Sequence, residues 1–243
     1  GGGPPIMKAQ FSRTATPAGR PEAHVTRARP AGGEYSPSEE IAHAVTHGVG
    51  CLLSVVGLAL LVTEAAGRND AWGVVGGAVF GATLVTLYLS STVYHALTIP
   101  RWKALLKRID HAAIYVLIAG TYTPFCLGPL RGPWGWSLLG VVWGLGVAGA
   151  VTDVASGRRF KWLSIAVYLL MGWLIVVAAR PLFSVVDLAT IGWLGLGGVF
   201  YTGGVGFYLA RRLPWHHAIW HVCVLLGSAC HWLAVHRTLA AAA

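Results

Sequence analysis

The chain has 243 residues, 55% of them hydrophobic and 11% charged, and a mean hydropathy of +0.62. A soluble domain carries about 25% charged residues, so the composition excludes one and indicates an integral membrane protein. Its 18 Lys and Arg against 9 Asp and Glu are the kind of excess that orients membrane loops; no basic run with interleaved exposed aromatics is present, which argues against a nucleic-acid partner.

In chain order, residues 1–36 read as a disordered basic tail, too poor in apolar surface to offset the entropy of ordering. The tail lacks the apolar stretch of a cleavable signal peptide, and Gly1 to Ile6, ahead of Met7, are assigned no fold. Residues 37–243 read as one all-α domain, a polytopic bundle of seven transmembrane helices at about 20 apolar residues per crossing. The spacing predicts spans over Ala44–Ala66, Trp72–Leu97, Ile109–Leu127, Trp134–Val151, Trp162–Ala179, Leu188–Ala210 and His216–His236. Ser36, Pro37, Glu39 and Glu40 form a helix-start signature before the first span, and Pro100 with a basic loop stops the second. Short connections make neighbouring spans antiparallel. Gly195, Gly197, Gly198, Gly203, Gly204 and Gly206 are expected to let helices approach closely. Cys51, Cys126, Cys223 and Cys230 lie in apolar stretches, outside any CxxC pair, and read as small buried hydrophobes.

Fourteen basic residues fall in the tail and the even-numbered connections, four (Arg68, Arg131, Arg180, Arg237) in the others. The positive-inside rule then puts the N-terminus in the cytoplasm and, with an odd span count, the C-terminus outside a cell membrane. At the cytoplasmic end Ser91 and His95 close span two, Asp110 opens span three, and His217 and His221 open span seven. The last two are four residues apart and share one helical face. Three imidazoles and a carboxylate make a zinc-like donor set. Ionisable groups at membrane depth are costly, which makes the cluster a candidate site.

Each residue also has a plainer use. The histidines can bond interfacial water, Asp110 can cap a helix beside Arg108, and Ser91 can bond back to its own helix. For His43 and His47 an interhelical hydrogen bond is the expectation; for His231, a neutral paired ring. His111 and His216 are expected to point off the ligand face, and Asp153 to cap, face solvent or stand behind the ligands.

Ser91-Thr-Val-Tyr-His95, Arg108-Ile-Asp110 and His217-Ala-Ile-Trp-His221 resemble the signature of the hemolysin III and adiponectin/progestin receptor superfamily. Glu39-Glu40-Ile41, Thr46-His47-Gly48, Lys161-Trp-Leu-Ser164 and Met171-Gly172-Trp173 are similar to its bacterial hemolysin III branch. The resemblance runs from about Glu39 to His236. It implies seven helices with the N-terminus inside and Zn2+ near the cytoplasmic face. His95, His217 and His221 would be the ligands, Asp110 would hold a water beside the metal, and Ser91 would stand next to it. His43 departs from the family pattern, where another residue is usual, and opens a second pair with His47.

Three functions follow as expectations. The first is a zinc-dependent hydrolase acting on a lipid amide or ester, with Asp110 and Ser91 as catalytic residues, by analogy with ceramide-hydrolysing relatives. The second is a membrane-perturbing or pore protein, which the mostly Gly and Ala interior supports little. The third is a receptor or sensor with structural zinc. A retinal-type photoreceptor is excluded, because span seven has no lysine. The substrate and the oligomeric state are open.

Overall fold

The computed structural model describes residues 1–3, 35–157 and 159–241. Most of the expected tail, and Arg158, lie outside the described residues. Among the described residues every regular element is helical: α1 (Pro37–Gly67), α2 (Ala71–Ala96), α3 (Pro100–Leu127), α4 (Pro133–Ser156), α5 (Lys161–Trp173), a 3-10 segment (Leu174–Ala178), α6 (Ala179–Val185), α7 (Leu188–Leu209) and α8 (His216–Ala241).

Six of these are long and apolar enough to cross a membrane: α1, α2, α4, the run Lys161–Val185, α7 and α8. Their outward faces carry large apolar side chains such as Leu52, Trp162 and Leu188, each at least 70% exposed. A soluble monomer does not expose apolar surface on that scale, whereas lipid covers it. The chain is therefore a multi-pass membrane protein.

α3 differs from the six. It begins at Pro100, nine residues before the expected span, so Arg101, Lys103, Lys107, Arg108 and Asp110 all lie on the helix itself. From His111 to Leu127 it is largely buried and takes part in both cores. One core joins α1, α2, α3 and α8 through Leu61, Phe80, Tyr88, Leu117, Val224 and Val235. The other joins α3, α4 and the α5–α6 run through Tyr115, Tyr122, Val142, Met171 and Leu182.

Local chemistry sets the element ends. At the start of α1 the Ser36 amide donates to Glu39 Oε2 (2.8 Å) and the Glu39 amide donates to Ser36 Oγ (3.3 Å), a reciprocal cap with Pro37 in the first turn. Only one stripe of α1 is buried, running His43, His47, Gly50, Ser54, Gly57, Leu61 and Ala65. Steps of three and four residues keep that stripe on one face.

The fifth span was expected to stop at Ala179. Instead the chain changes to 3-10 geometry over Leu174–Ala178 and continues through Pro181 to Val185. Pro181 cannot make the rung back to Val177, but in the first turn of α6 its missing N–H is harmless. The Tyr122 hydroxyl bridges the break, donating to the Met171 carbonyl (2.7 Å) and accepting from the Ile175 amide (2.9 Å).

Of the α7 glycines expected to permit close packing, Gly197 and Gly204 do so against α8: a Cβ on Gly197 would lie 2.3 Å from the His231 ring. Gly195, Gly203 and Gly206 face open space among the described residues, and Gly198 meets Trp173 at ordinary contact distance.

Candidate metal centre

The expected residues come together. His95, at the end of α2, and His217 and His221, in the first turns of α8, lie with ring centroids 5.3 Å (95–217), 5.1 Å (95–221) and 4.6 Å (217–221) apart. All three are buried. Ser91, Asp110, His217 and His221 border one cavity of about 140 Å³, whose walls continue through Leu87, Leu117, Ile165 and Val224.

Second contacts fix how two of these rings present themselves. His95 Nδ1 lies 2.6 Å from Glu40 Oε2, and Lys103 Nζ lies 2.6 Å from Glu40 Oε1. A carboxylate only accepts, so Nδ1 carries a proton, and in the neutral ring Nε2 keeps its lone pair. His95 Nε2 is buried without a hydrogen-bond partner among the described residues. His221 Nδ1 lies 3.3 Å from Thr46 Oγ1, whose hydroxyl sits 2.8 Å from the Ala42 carbonyl and 3.0 Å from that of His43. With its one proton directed to the α1 backbone, Thr46 accepts from His221 Nδ1–H. Both histidines thus turn an Nε2 lone pair away from these contacts.

The first helix adds what the sequence reading set aside. His43 is fully buried, with its ring centroid 4.7 Å from that of His95, 4.8 Å from His217 and 5.1 Å from His221. The ligand atoms of His43, His95 and His217 lie within 4.8 Å of one another, a group that can hold a metal ion. Interhelical hydrogen bonds were expected of His43 and His47. Neither ring makes one; all four of their nitrogens are buried and unpartnered among the described residues. They engage through ring faces instead: His47 stacks on His221 at 3.5 Å and 11°, and His43 meets Tyr35 edge-on at 4.8 Å. Tyr35 also stacks on His217 at 4.8 Å. The readable signal for His43 was the small and polar stripe of α1, which no lipid-facing stripe would carry.

The other candidates resolve differently. Asp110 is interior to α3, whose N-cap is Ile99, so the capping use is ruled out. Arg108 turns instead to the end of α4, with Nη1 3.4 Å from the Val154 carbonyl. His216 Nδ1 bonds the Phe207 carbonyl (3.2 Å) and His231 Nε2 bonds that of Leu194 (3.2 Å), the paired state expected for His231. His111 Nδ1 donates to the Lys107 carbonyl (2.7 Å), yet the ring borders the cavity, contrary to the outward orientation expected. Asp153 is buried rather than solvent-facing; Ser164 Oγ donates to it at 2.7 Å and the Tyr168 hydroxyl lies 3.3 Å away.

Against known proteins, the model of the family described as Haemolysin-III related matches residues 35–232. The chain is 48% identical over 201 residues to the Hemolysin-3 homolog of Bacillus subtilis (strain 168), covering 83% of this chain and 94% of that one. It is 45% identical over 191 residues to Hemolysin-3 of Bacillus cereus, covering 79% and 87%. To the Monocyte to macrophage differentiation factor of Homo sapiens it is 29% identical over 228 residues, covering 86% and 89%. With its matched region spanning the helical domain and its buried histidines gathered from α1, α2 and α8, the chain belongs to the haemolysin III family of membrane proteins.

Proposed function

We propose that this protein is a seven-span hydrolase of the cell membrane that uses Zn2+, held by His95, His217 and His221, to cleave an amide or ester bond of a membrane lipid. The carrying observation is the meeting of unpartnered buried imidazole nitrogens with Ser91 and Asp110 at one end of an apolar cavity. Neutral imidazoles with oriented lone pairs suit a borderline-soft ion, and the buried orphan nitrogens need a partner.

α3 is the seventh span in this reading. Its charges occupy the first turns, and the whole helix, 28 residues from Pro100 to Leu127, is about 42 Å long, enough to cross the roughly 30 Å hydrocarbon with those turns at the surface. The basic connections then face the cytoplasm together with the histidine cluster, and α8 ends outside.

Bound there, zinc supplies Lewis acidity, lowering the pKa of water to about 7 and polarising a carbonyl. Asp110, on the cavity wall, takes the proton from the attacking water and returns it to the leaving amine or alkoxide. Water adds across the scissile bond, so the products are a fatty acid and an amine or alcohol. The Ser91 hydroxyl donates to the carbonyl oxygen as charge gathers on it. Leu87, Leu117, Ile165 and Val224 hold the acyl chain and exclude bulk water.

Metal analysis of detergent-purified protein, then hydrolysis of ceramides, other N-acyl lipids and glycerolipids with and without chelator, tests the proposal. Asp110→Asn is expected to keep most of the zinc and lose about 10–100-fold in turnover. A second reading, zinc as a staple for a sensor, draws on the cluster's joining of α1, α2 and α8. Intact output in Asp110→Asn, with no chelator-sensitive turnover of any lipid, would favour it.

A further inference from the structure

We infer that His43 is a metal ligand in this chain, completing a four-imidazole donor set with His95, His217 and His221, so that the resting centre has no protein-free position for water. The inference rests on the metal-centre reading above and concerns what fills the coordination sphere.

Burial states the problem. A neutral imidazole carries one donor and one acceptor nitrogen, and leaving either unmade away from water is unfavourable. His43 is fully buried and leaves both unmade among the described residues. Buried histidines elsewhere in the fold bond a carbonyl through at least one nitrogen, as His216 does on Phe207 and His231, which leaves only Nδ1 unmade among the described residues, does on Leu194. Ring packing against Tyr35 and His95 satisfies the faces of the His43 ring, not its nitrogens.

Position supplies the answer. The His43 donor lies within 4.8 Å of those of His95 and His217, a group among the described residues that could hold a metal ion. The same helix brings Glu40, one turn earlier, onto His95 Nδ1. α1 therefore contributes both a donor and the carboxylate that aims another donor. His47 stacks on His221 at 3.5 Å, and neither belongs to the group of His43, His95 and His217; His221 joins the set in this reading because it stands one turn after His217, with the two ring centroids 4.6 Å apart.

The consequence is a guarded centre. With four imidazoles bound, water or a substrate carbonyl reaches the metal only when one of them leaves. His43 is the least held of the four: His95 and His221 are each tethered through Nδ1, His217 stacks on Tyr35 and stands one turn from His221 on the same helix, and neither nitrogen of His43 has a hydrogen-bond partner among the described residues.

The test uses the full chain in detergent, loaded with Co2+ as a coloured probe, as wild type, His43→Ala, His43→Asn and His217→Ala. Metal per chain, Co2+ affinity, the visible d–d absorption and its response to azide are measured, with melting of the metal-free proteins. Wild type is expected to bind one Co2+ whose spectrum ignores azide. Outer-sphere partners alone are worth about 10–100-fold in metal affinity, so loss of a direct ligand weakens Co2+ at least about tenfold in both His43 variants. Their spectra are expected to shift on adding azide, which enters the vacated position. Metal-free His43→Ala should melt with metal-free wild type.

Wild-type affinity in both His43 variants, or an azide response identical in wild type and variants, overturns the inference while leaving the centre standing. A fall in metal-free melting as large as that of the loaded protein also overturns it, assigning His43 to packing. Retention of Co2+ by His217→Ala overturns the metal centre itself, and the inference with it.

Discussion

Two buried polar clusters border the same cavity and obey opposite rules. Toward the middle of α2, α7 and α8, the Tyr88 hydroxyl donates to Ser228 Oγ (2.7 Å), and Tyr201 reaches the same Ser228 oxygen (2.8 Å). Each hydroxyl has a protein partner, and the group needs nothing more. Near the start of α1 and α8, five histidines stand together while His43, His47, His95 and His217 keep buried nitrogens with no hydrogen-bond partner among the described residues. A closed network strengthens a fold by itself; an open one of matched lone pairs is stable only with something added. The difference marks the five-histidine group as the candidate site by the number of its orphan nitrogens, since His231, beside Tyr201, also leaves Nδ1 unpartnered among the described residues.

Mutation and titration can break or sharpen that contrast. The largest effect is expected at the open cluster: His217→Ala should take metal content from about one per chain to nearly none. The melting temperature should fall by as much as chelator lowers it in wild type, because metal binding to the folded state is folding free energy. Elemental analysis and melting of the same preparation check it.

Glu40→Gln comes next. It keeps the shape of the side chain but removes the charge that His95 and Lys103 share, so metal affinity should drop about 10–100-fold with little change in metal-free stability. Competition with a calibrated chelator measures this.

At the closed cluster, Tyr88→Phe leaves Ser228 short of a donor. It should cost about 1–3 kcal/mol of stability and leave metal content unchanged. A loss of metal in that variant would erase the distinction between the clusters.

The smallest effect lies outside both. Asp187, the N-cap of α7, accepts from the Thr190 hydroxyl, the Ala189 and Thr190 amides and Arg237, and the Thr190 hydroxyl above all holds its carboxyl down to about 2. A depressed folded-state pKa contributes stability that is fully present above the ordinary carboxylate range, near 4, and is lost as pH falls toward 2. Wild type should therefore lose slightly more melting temperature than Asp187→Asn between pH 5 and 2.5.

The sequence was informative where period and chemistry agreed. Apolar runs of span length marked six helices, and the His217–His221 spacing with His95 and Asp110 pointed to residues that the fold gathers at the candidate site. The start of α3 was hidden because Arg101, Lys103 and Lys107 read as a loop, although in the helix they point past the core and one of them, Lys103, salt-bridges Glu40. His43 was hidden because a histidine at a helix entrance looks like an interfacial residue; only the full inward stripe down to Ala65 reveals its direction. Tyr35 and Thr46 depend on contacts between segments distant in the chain, which no local pattern encodes.

The Tyr122 bridge has a consequence for the span it holds. A hydrogen-bond ladder interrupted at Leu174–Ala178 leaves backbone groups that lipid cannot satisfy, each costing several kcal/mol. The hydroxyl that satisfies them belongs to another helix, α3. The 3-10 geometry inside Lys161–Val185 is therefore expected to hold only with α3 beside it, and Tyr122→Phe is expected to loosen that stretch.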